Sequence, residues 1–193
     1  MKKTVFPAIC ILISCILMML IPTEAEAAIY EDTLRLHILA ESDTAEDQAI
    51  KIAIRDMVLE KYSSLFANEC DISAVIGKAN AELGAIENDC NRLILDTGYD
   101  YRAKVRLTEE WYETREYRDF LLPAGTYASL IIELGAGEGQ NWWCVMYPPM
   151  CLEASLSHEE YPYTPSEMRL INKSGYRVKF KILELASEII SGS

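Results

Sequence analysis

Apolar residues recur at helical spacing from Ala49 to Leu95 and at every second position on either side of that stretch. No other property of this chain restricts its fold as much. Ala49, Ile50, Ala53, Ile54, Met57 and Val58 form one stripe, predicting a helix that opens after Glu41-Ser42-Asp43-Thr44 and ends near Tyr62-Ser63-Ser64. Asp43 with Glu46 is a capping-box-like pair, and Ser42 is a competing cap. The other face of this helix holds Glu46, Asp47, Lys51, Arg55, Asp56 and Glu60, which reads as a solvated face. A second stripe (Ile72, Val75, Ile76, Ala79, Leu83, Ile86, Cys90, Leu93 and Ile94) predicts a longer helix from Asp71 to about Leu95. Gly77 and Gly84 interrupt it, each costing about 1 kcal/mol relative to Ala.

The flanking segments alternate as strands do. Leu34, Leu36, Ile38 and Ala40 share one face, with Arg35 and His37 on the other. Tyr99 to Leu107 alternates Tyr, Tyr, Ala, Val and Leu with Asp100, Arg102, Lys104 and Arg106. A weaker strand is expected over Tyr117 to Leu122, another over Thr126 to Leu134, and a buried central strand over Trp142 to Tyr147, stopped by Pro148 and Pro149. One strand, two helices and then several strands indicate an α+β fold. Its expected form is a mainly antiparallel sheet with two long helices packed on one face.

Composition sets the outer limits. The chain has 193 residues, a net charge of −12, and half of its residues are apolar. That suffices for one substantial core. The acidic balance argues against a nucleic-acid partner, which requires clustered cations. Lys2 and Lys3 precede an uncharged run from Val5 to Ile21, followed by Ala25-Glu26-Ala27-Ala28. A basic start, an apolar middle and an A-x-A end read as a signal peptide cut after Ala27 or Ala28. The other reading is a retained anchor, which would tie the domain to the membrane. Both export the remainder of the chain.

Export gives the cysteines meaning. Cys10 and Cys15 lie in the apolar run, leaving Cys70, Cys90, Cys144 and Cys151, with three pairings open. The Pro148-Pro149 bend favours Cys144 with Cys151. Cys70 and Cys90 on one straight helix would stand about 30 Å apart, far beyond the roughly 7 Å that a disulfide allows.

Catalytic motifs are thin. Asp96-Thr97-Gly98 matches the aspartic-protease triplet, which would need a dimer to supply the second carboxylate. The helical period before Asp96 reads instead as a helix end capped by Gly98. Cys144 with His37 could form a thiol and base pair only if the fold joined them. Gly135-x-Gly-x-Gly139 is followed by tryptophans rather than by a helix N-terminus that could hold phosphate. Two histidines without companions at ligand spacing point to no metal site, and no cofactor is expected.

The most unusual stretch is Gly139-Gln140-Asn141-Trp142-Trp143-Cys144, near Tyr147-Pro148-Pro149-Met150-Cys151. Adjacent tryptophans on a strand point to opposite faces, so at most one joins a given core. Asn141, Trp142, Trp143, Pro148 and Pro149 are therefore candidate partner-binding residues, with Cys144 and Cys151 as the candidate bridge that shapes them.

These residues also carry a resemblance. Leu34-Arg-Leu-His-Ile-Leu-Ala-Glu-Ser-Asp43, with Glu46-Asp47-Gln48, Lys51 and Arg55-Asp56, is similar to the opening of the stage II sporulation protein R family. So are Gly98-Tyr-Asp-Tyr101, Leu122-Pro-Ala-Gly-Thr-Tyr127, and Gly135 to Cys151 with its Asn-Trp-Trp-Cys and Pro-Pro-Met-Cys groups. Glu41 stands where the family has Asn, and Tyr147 and Met150 where Phe and Leu are usual. The resemblance implies a non-enzymatic signalling protein exported across the forespore membrane into the intermembrane space. Its implied partner is a membrane-embedded sporulation aspartic protease that matures a sigma factor precursor. Taken with the residue patterns, the expected organisation is a signal segment or anchor over 1–28, an α+β signalling domain over 29–152, and, beyond the reach of the resemblance, a loop excursion over 153–175 and a closing strand and short helix over 176–193. The alternative is an exported hydrolase working through Asp96 in a dimer or through Cys144.

Overall fold

The computed structural model describes residues 24–65, 69, 71–117 and 121–148, with isolated positions at 10, 11, 13, 14 and 171. The loop excursion and the C-terminal strand and helix expected after residue 152 lie outside the described residues, apart from position 171. The elements are α1 (Glu24–Glu31), β1 (Leu34–Leu39), α2 (Ala45–Tyr62), a short 3-10 turn (Ser63–Leu65), α3 (Ile72–Asp96), β2 (Ala103–Tyr112), β3 (Arg115–Glu116), β4 (Leu121–Leu122), β5 (Gly125–Leu134) and β6 (Asn141–Tyr147). The chain is therefore α+β. The Ala25–Ala28 cleavage pattern falls within α1, and among the described residues no helix is long and apolar enough to cross a membrane.

Two compact units are present. One comprises residues 1–29, 111–125 and 163–193; the other, residues 30–110 and 126–162. In the first, β3 and β4 pair antiparallel, Arg115 opposite Leu122 and Glu116 opposite Leu121, and the Ala124 amide donates to Thr114 Oγ1 at 3.2 Å. Of the strand expected over Tyr117 to Leu122, the described residues place Leu121 and Leu122 in β4 and Tyr117 outside any strand, while 118–120 lie outside the described residues.

The second unit carries the four-stranded sheet, in the order β2-β5-β1-β6. The sheet is mostly antiparallel, as expected, but it is mixed. β1 runs antiparallel to β6 but parallel to β5, Leu36 facing Leu130 and Ile38 facing Ile132. A parallel pair needs a long crossover, and the two helices with β2 supply it. β6, expected at the centre, is an outer member of this order, and β1 and β5 are the inner ones.

Pleating explains which residues are buried together. Leu34, Leu36 and Ile38 of β1 join Leu130, Ile132 and Leu134 of β5 and Cys144 and Met146 of β6 in one apolar cluster. The same cluster includes Ile50, Ile54, Val58 and Tyr62 of α2 and Val75, Ala79, Ile86, Cys90 and Ile94 of α3, the stripes visible in the sequence. Burying such aliphatic side chains contributes roughly 1.5–3 kcal/mol each, before the entropy of ordering them.

α3 starts and stops on local signals. The Asp71 carboxylate accepts from the Ser73 amide at 3.0 Å, and Gly98, at φ 90°, turns the chain out of the helix. The Gly98 amide closes onto the Leu95 carbonyl at 3.0 Å and the Tyr99 amide onto that of Ile94 at 3.2 Å. Gly77 and Gly84 do not break the helix, which is continuous for 25 residues.

β2 begins four residues later than the Tyr99–Leu107 pattern predicts and runs on to Tyr112. Tyr99 and Tyr101 still pack against the cluster, so their alternation reports burial rather than strand. Side chains from α3 occupy the edge of β2: the Ala103 amide donates to Asn91 Oδ1 at 2.9 Å and the Val105 amide to Glu87 Oε2 at 3.0 Å. Such cover protects an outer strand from unwanted pairing.

Candidate functional site

The tryptophan strand starts where two loops of the larger unit meet. Residues 40–43 leave β1, and residues 135–140 join β5 to β6. The Gly139 amide donates to the Ala40 carbonyl at 2.9 Å and the Glu138 amide to the Glu41 carbonyl at 3.2 Å. The Glu41 carboxylate accepts from the Ala136 amide. Gly135 and Gly137 have φ of 56° and 66°, a left-handed conformation that non-glycine residues adopt only at a cost. The glycine-rich segment is thus a connection shaped by its neighbour.

Asp43 and Lys51 hold the last loop residue from both sides. The Gln140 amide donates to Asp43 Oδ1 at 2.7 Å, and the Gln140 carbonyl accepts from Lys51 Nζ at 2.8 Å. Lys51 also donates to Gln48 Oε1, and Gln48 Nε2 donates to the Ser42 carbonyl at 2.9 Å. Lys51 is only 5% exposed. Burial lowers its pKa, and the charge of Asp43 opposes that shift.

Next to this, Asp47 accepts from the Ser42 hydroxyl, from Thr44 Oγ1 at 2.9 Å and from Tyr101 Oη at 3.2 Å. The Asp47 amide donates to Thr44 Oγ1 at 3.3 Å, so Thr44 caps α2. The hydrogen bond from Ser42 is the main cause holding the Asp47 carboxyl below the usual range. Burial, then the Asp47 charge, push the Tyr101 phenol up. The solvated face expected for α2 therefore needs correcting: Asp47 and Lys51 are buried and paired. Asp43, expected to cap α2 with Glu46, is spent on Gln140 instead.

From this junction β6 presents its tryptophans to opposite faces. Trp142 packs against the apolar cluster with the Arg55 guanidinium 5.3 Å from its ring centroid. Trp143 stacks on His37 at 5.4 Å with 25° between the planes. His37 Nδ1 lies 2.8 Å from Glu110 Oε2, and Arg35, wholly buried two residues earlier, stands 5.0 Å over the Tyr127 ring. Both tryptophans are half-buried. Asn141 Oδ1 is buried with no hydrogen-bond partner among the described residues. Pro148 is buried after a cis Tyr147-Pro148 peptide, whereas Pro149 and Cys151 lie outside the described residues. Asn141, Trp142, Trp143 and Pro148 are thus consecutive or near-consecutive along one strand and its exit.

The catalytic alternatives fare differently. Cys144 pairs across the sheet with Leu36, and His37 with Trp143, so thiol and imidazole lie on opposite faces. Cys144 is disulfide-bonded, its partner outside the described residues. Cys90 is free and buried in α3, so it does not pair with Cys70, and burial pushes its thiol up to about 12. Asp96 is the last residue of α3, in the helix-end setting expected for Asp96-Thr97-Gly98. Among the described residues no group of three or more His, Cys, Asp or Glu side chains could hold a metal ion.

Sequence reasoning found the tryptophan strand but missed the groups that aim it. Asp43, Gln48 and Lys51 are spaced as an amphipathic helix would space solvent-facing residues, and only the far-off Gly135–Gln140 loop gives them partners. The one available signal was that the resemblance takes in both the segment around Asp43 to Lys51 and the segment from Gly135 to Cys151.

The comparisons with known proteins cover this region. Residues 30–157 match the family described as Stage II sporulation protein R. The Stage II sporulation protein R of Bacillus subtilis (strain 168) is 32% identical over 121 residues, which is 63% of this chain and 54% of that protein. The chain thus spans about half the length of that relative. No solved structure matches. The matched span holds both loops, Asp43 and the buried Lys51, and the tryptophan strand, and it covers more than half of the chain, so the chain belongs to the stage II sporulation protein R family.

Proposed function

We propose that this chain is an exported sporulation signal that works by contact, without chemistry of its own. It activates a membrane-embedded aspartic protease, which then matures a sigma factor precursor. Family membership supports a sporulation role, and the basic, apolar and A-x-A order of the first 28 residues supports export into the intermembrane space. The segment either is cleaved or remains as an anchor that keeps the domain at the membrane.

The observation that carries the reading is the divergence of Trp142 and Trp143, each only half-buried, on a strand whose start is held by the buried Lys51 and the exposed Asp43. Rigid aromatic side chains at a fixed edge are the usual anchors of protein interfaces. Asn141 and the Pro148-Pro149 exit shape the same surface, and a Cys144–Cys151 bridge would hold its far end. α2 and α3, read as two helices on one face of the sheet, stiffen the platform. Activation is then a population shift, limited to the difference in affinity for the active and inactive protease. The hydrolase alternative is weaker, because Asp96 closes a helix and Cys144 is not a free thiol.

Co-expression with the protease and its precursor tests the proposal. Trp143→Ala is expected to weaken binding by 2 kcal/mol or more, about thirtyfold, and so to abolish processing while the circular dichroism of the secreted domain is retained. Normal processing by a folded Trp143→Ala protein would defeat the assignment.

A further inference from the structure

We infer that Lys51 and Asp43 are positioning residues for the tryptophan strand, acting on the main chain of Gln140 rather than on any partner. This inference deepens the proposed contact surface and rests on it for its functional consequence. Its structural half stands alone. Both backbone polar groups of Gln140 are taken by ionised side chains of opposite sign: the amide by Asp43 at 2.7 Å and the carbonyl by Lys51 at 2.8 Å. The amide belongs to the 139–140 peptide unit and the carbonyl to the 140–141 unit, so the two units that flank the Gln140 Cα are each held by one side chain, which restrains rotation about both of its backbone dihedrals. The next two peptide units lead through Asn141 to Trp142 and Trp143.

The arrangement has a cost that a generic loop contact would not need. Lysine is rarely almost fully buried, and here two neutral oxygens, Gln48 Oε1 and the Gln140 carbonyl, share its ammonium. Gln48 in turn is fixed by the Ser42 carbonyl, so the lysine is itself aimed. The Gln140 side chain is exposed. The grip therefore reads no side chain at position 140 and sets only the direction in which β6 departs. Hydrogen bonds to charged groups are about twice as strong as neutral ones, which suits a device whose task is orientation.

Hydrogen–deuterium exchange of the full chain, followed by mass spectrometry of segment 135–147, tests this. Lys51→Met is expected to speed exchange there by about ten- to a hundredfold, the loss of one hydrogen bond to a charged group, while segment 72–96 is unchanged. Gln140→Ala keeps the main chain and should leave segment 135–147 as in the parent. If Lys51→Met fails to fold, the exposed Asp43→Ala decides, with the same local acceleration expected. Unchanged exchange in the folded Lys51 variant, or in Asp43→Ala when that variant decides, overturns the inference. So does equal acceleration by Gln140→Ala. In the processing assay the fast-exchanging variant should lose activity. Should Trp143→Ala process normally, the surface proposal falls, but the grip on Gln140 is still judged by exchange alone.

Discussion

Replacing Gly139 by alanine should be far more damaging than its small size suggests. Gly139 lies where the 135–140 loop crosses residues 40–43. An added Cβ would sit well inside van der Waals contact of the Ser42 carbonyl oxygen and 3.0 Å from the Ala40 Cβ. Neither obstacle is the far end of a flexible side chain, so the two loops must separate. Separation stretches the Gly139–Ala40 and Glu138–Glu41 backbone hydrogen bonds, each worth about 0.5–1.5 kcal/mol net. With the strain of overpacking, about 2–4 kcal/mol of destabilisation is expected. In a domain of this size each kcal/mol moves Tm by roughly 2–4 °C, giving a fall of about 5–15 °C. The same chemical change at Gly84 provides the control. It is exposed in the interior of α3, and an added Cβ there meets nothing within 4 Å. Gly84→Ala should therefore stabilise by about 0.5–1 kcal/mol through helix propensity. Thermal and urea unfolding of the two variants beside the parent measure both. A Gly139→Ala protein as stable as the parent would refute the reasoning, because it would mean that the loops are not in close backbone contact.

Two further outcomes follow from the buried ionisable groups. The Asp47 carboxyl is held below its unfolded value near 4, so it contributes stability that is complete above about pH 4 and is lost as pH falls through the folded value. Urea midpoints between pH 6 and pH 3 should drop steeply for the parent and less for Asp47→Asn, and parallel curves would contradict the role given to Ser42 and Tyr101. Cys90, raised to about 12 and wholly buried, should not react with a thiol reagent at pH 8 until urea unfolds the chain. Rapid native labelling at Cys90 would show that α3 opens.

Those features that depend on neighbours in sequence were legible before the fold was seen. The stripe expected from Asp71 to about Leu95 and the Gly98 turn bound α3 to within a residue or so, because a helix end is a matter of four or five consecutive residues. The opposed tryptophans followed from the pleat alone. What could not be read is pairing between distant segments. The parallel register of β1 with β5 is fixed only when the helical crossover brings Leu36 beside Leu130. Asp43 looked like a helix cap until Gln140, far along the chain, claimed it. Lys51 looked solvated for the same reason. Arg35 and His37 alternate with leucines as a wet strand face would, yet both are buried, with Tyr127 and Trp143 rings against them.

That buried alternation on β1 makes mispairing self-penalising. A slip of one residue against β5 or β6 would turn Leu34, Leu36 and Ile38 away from the helices and drive a guanidinium and an imidazole into their apolar stripes. A strand with aliphatic residues on both sides would tolerate either arrangement. By placing arginine and histidine between its leucines, this inner strand admits one register, and so fixes which tryptophan of the neighbouring β6 faces which way.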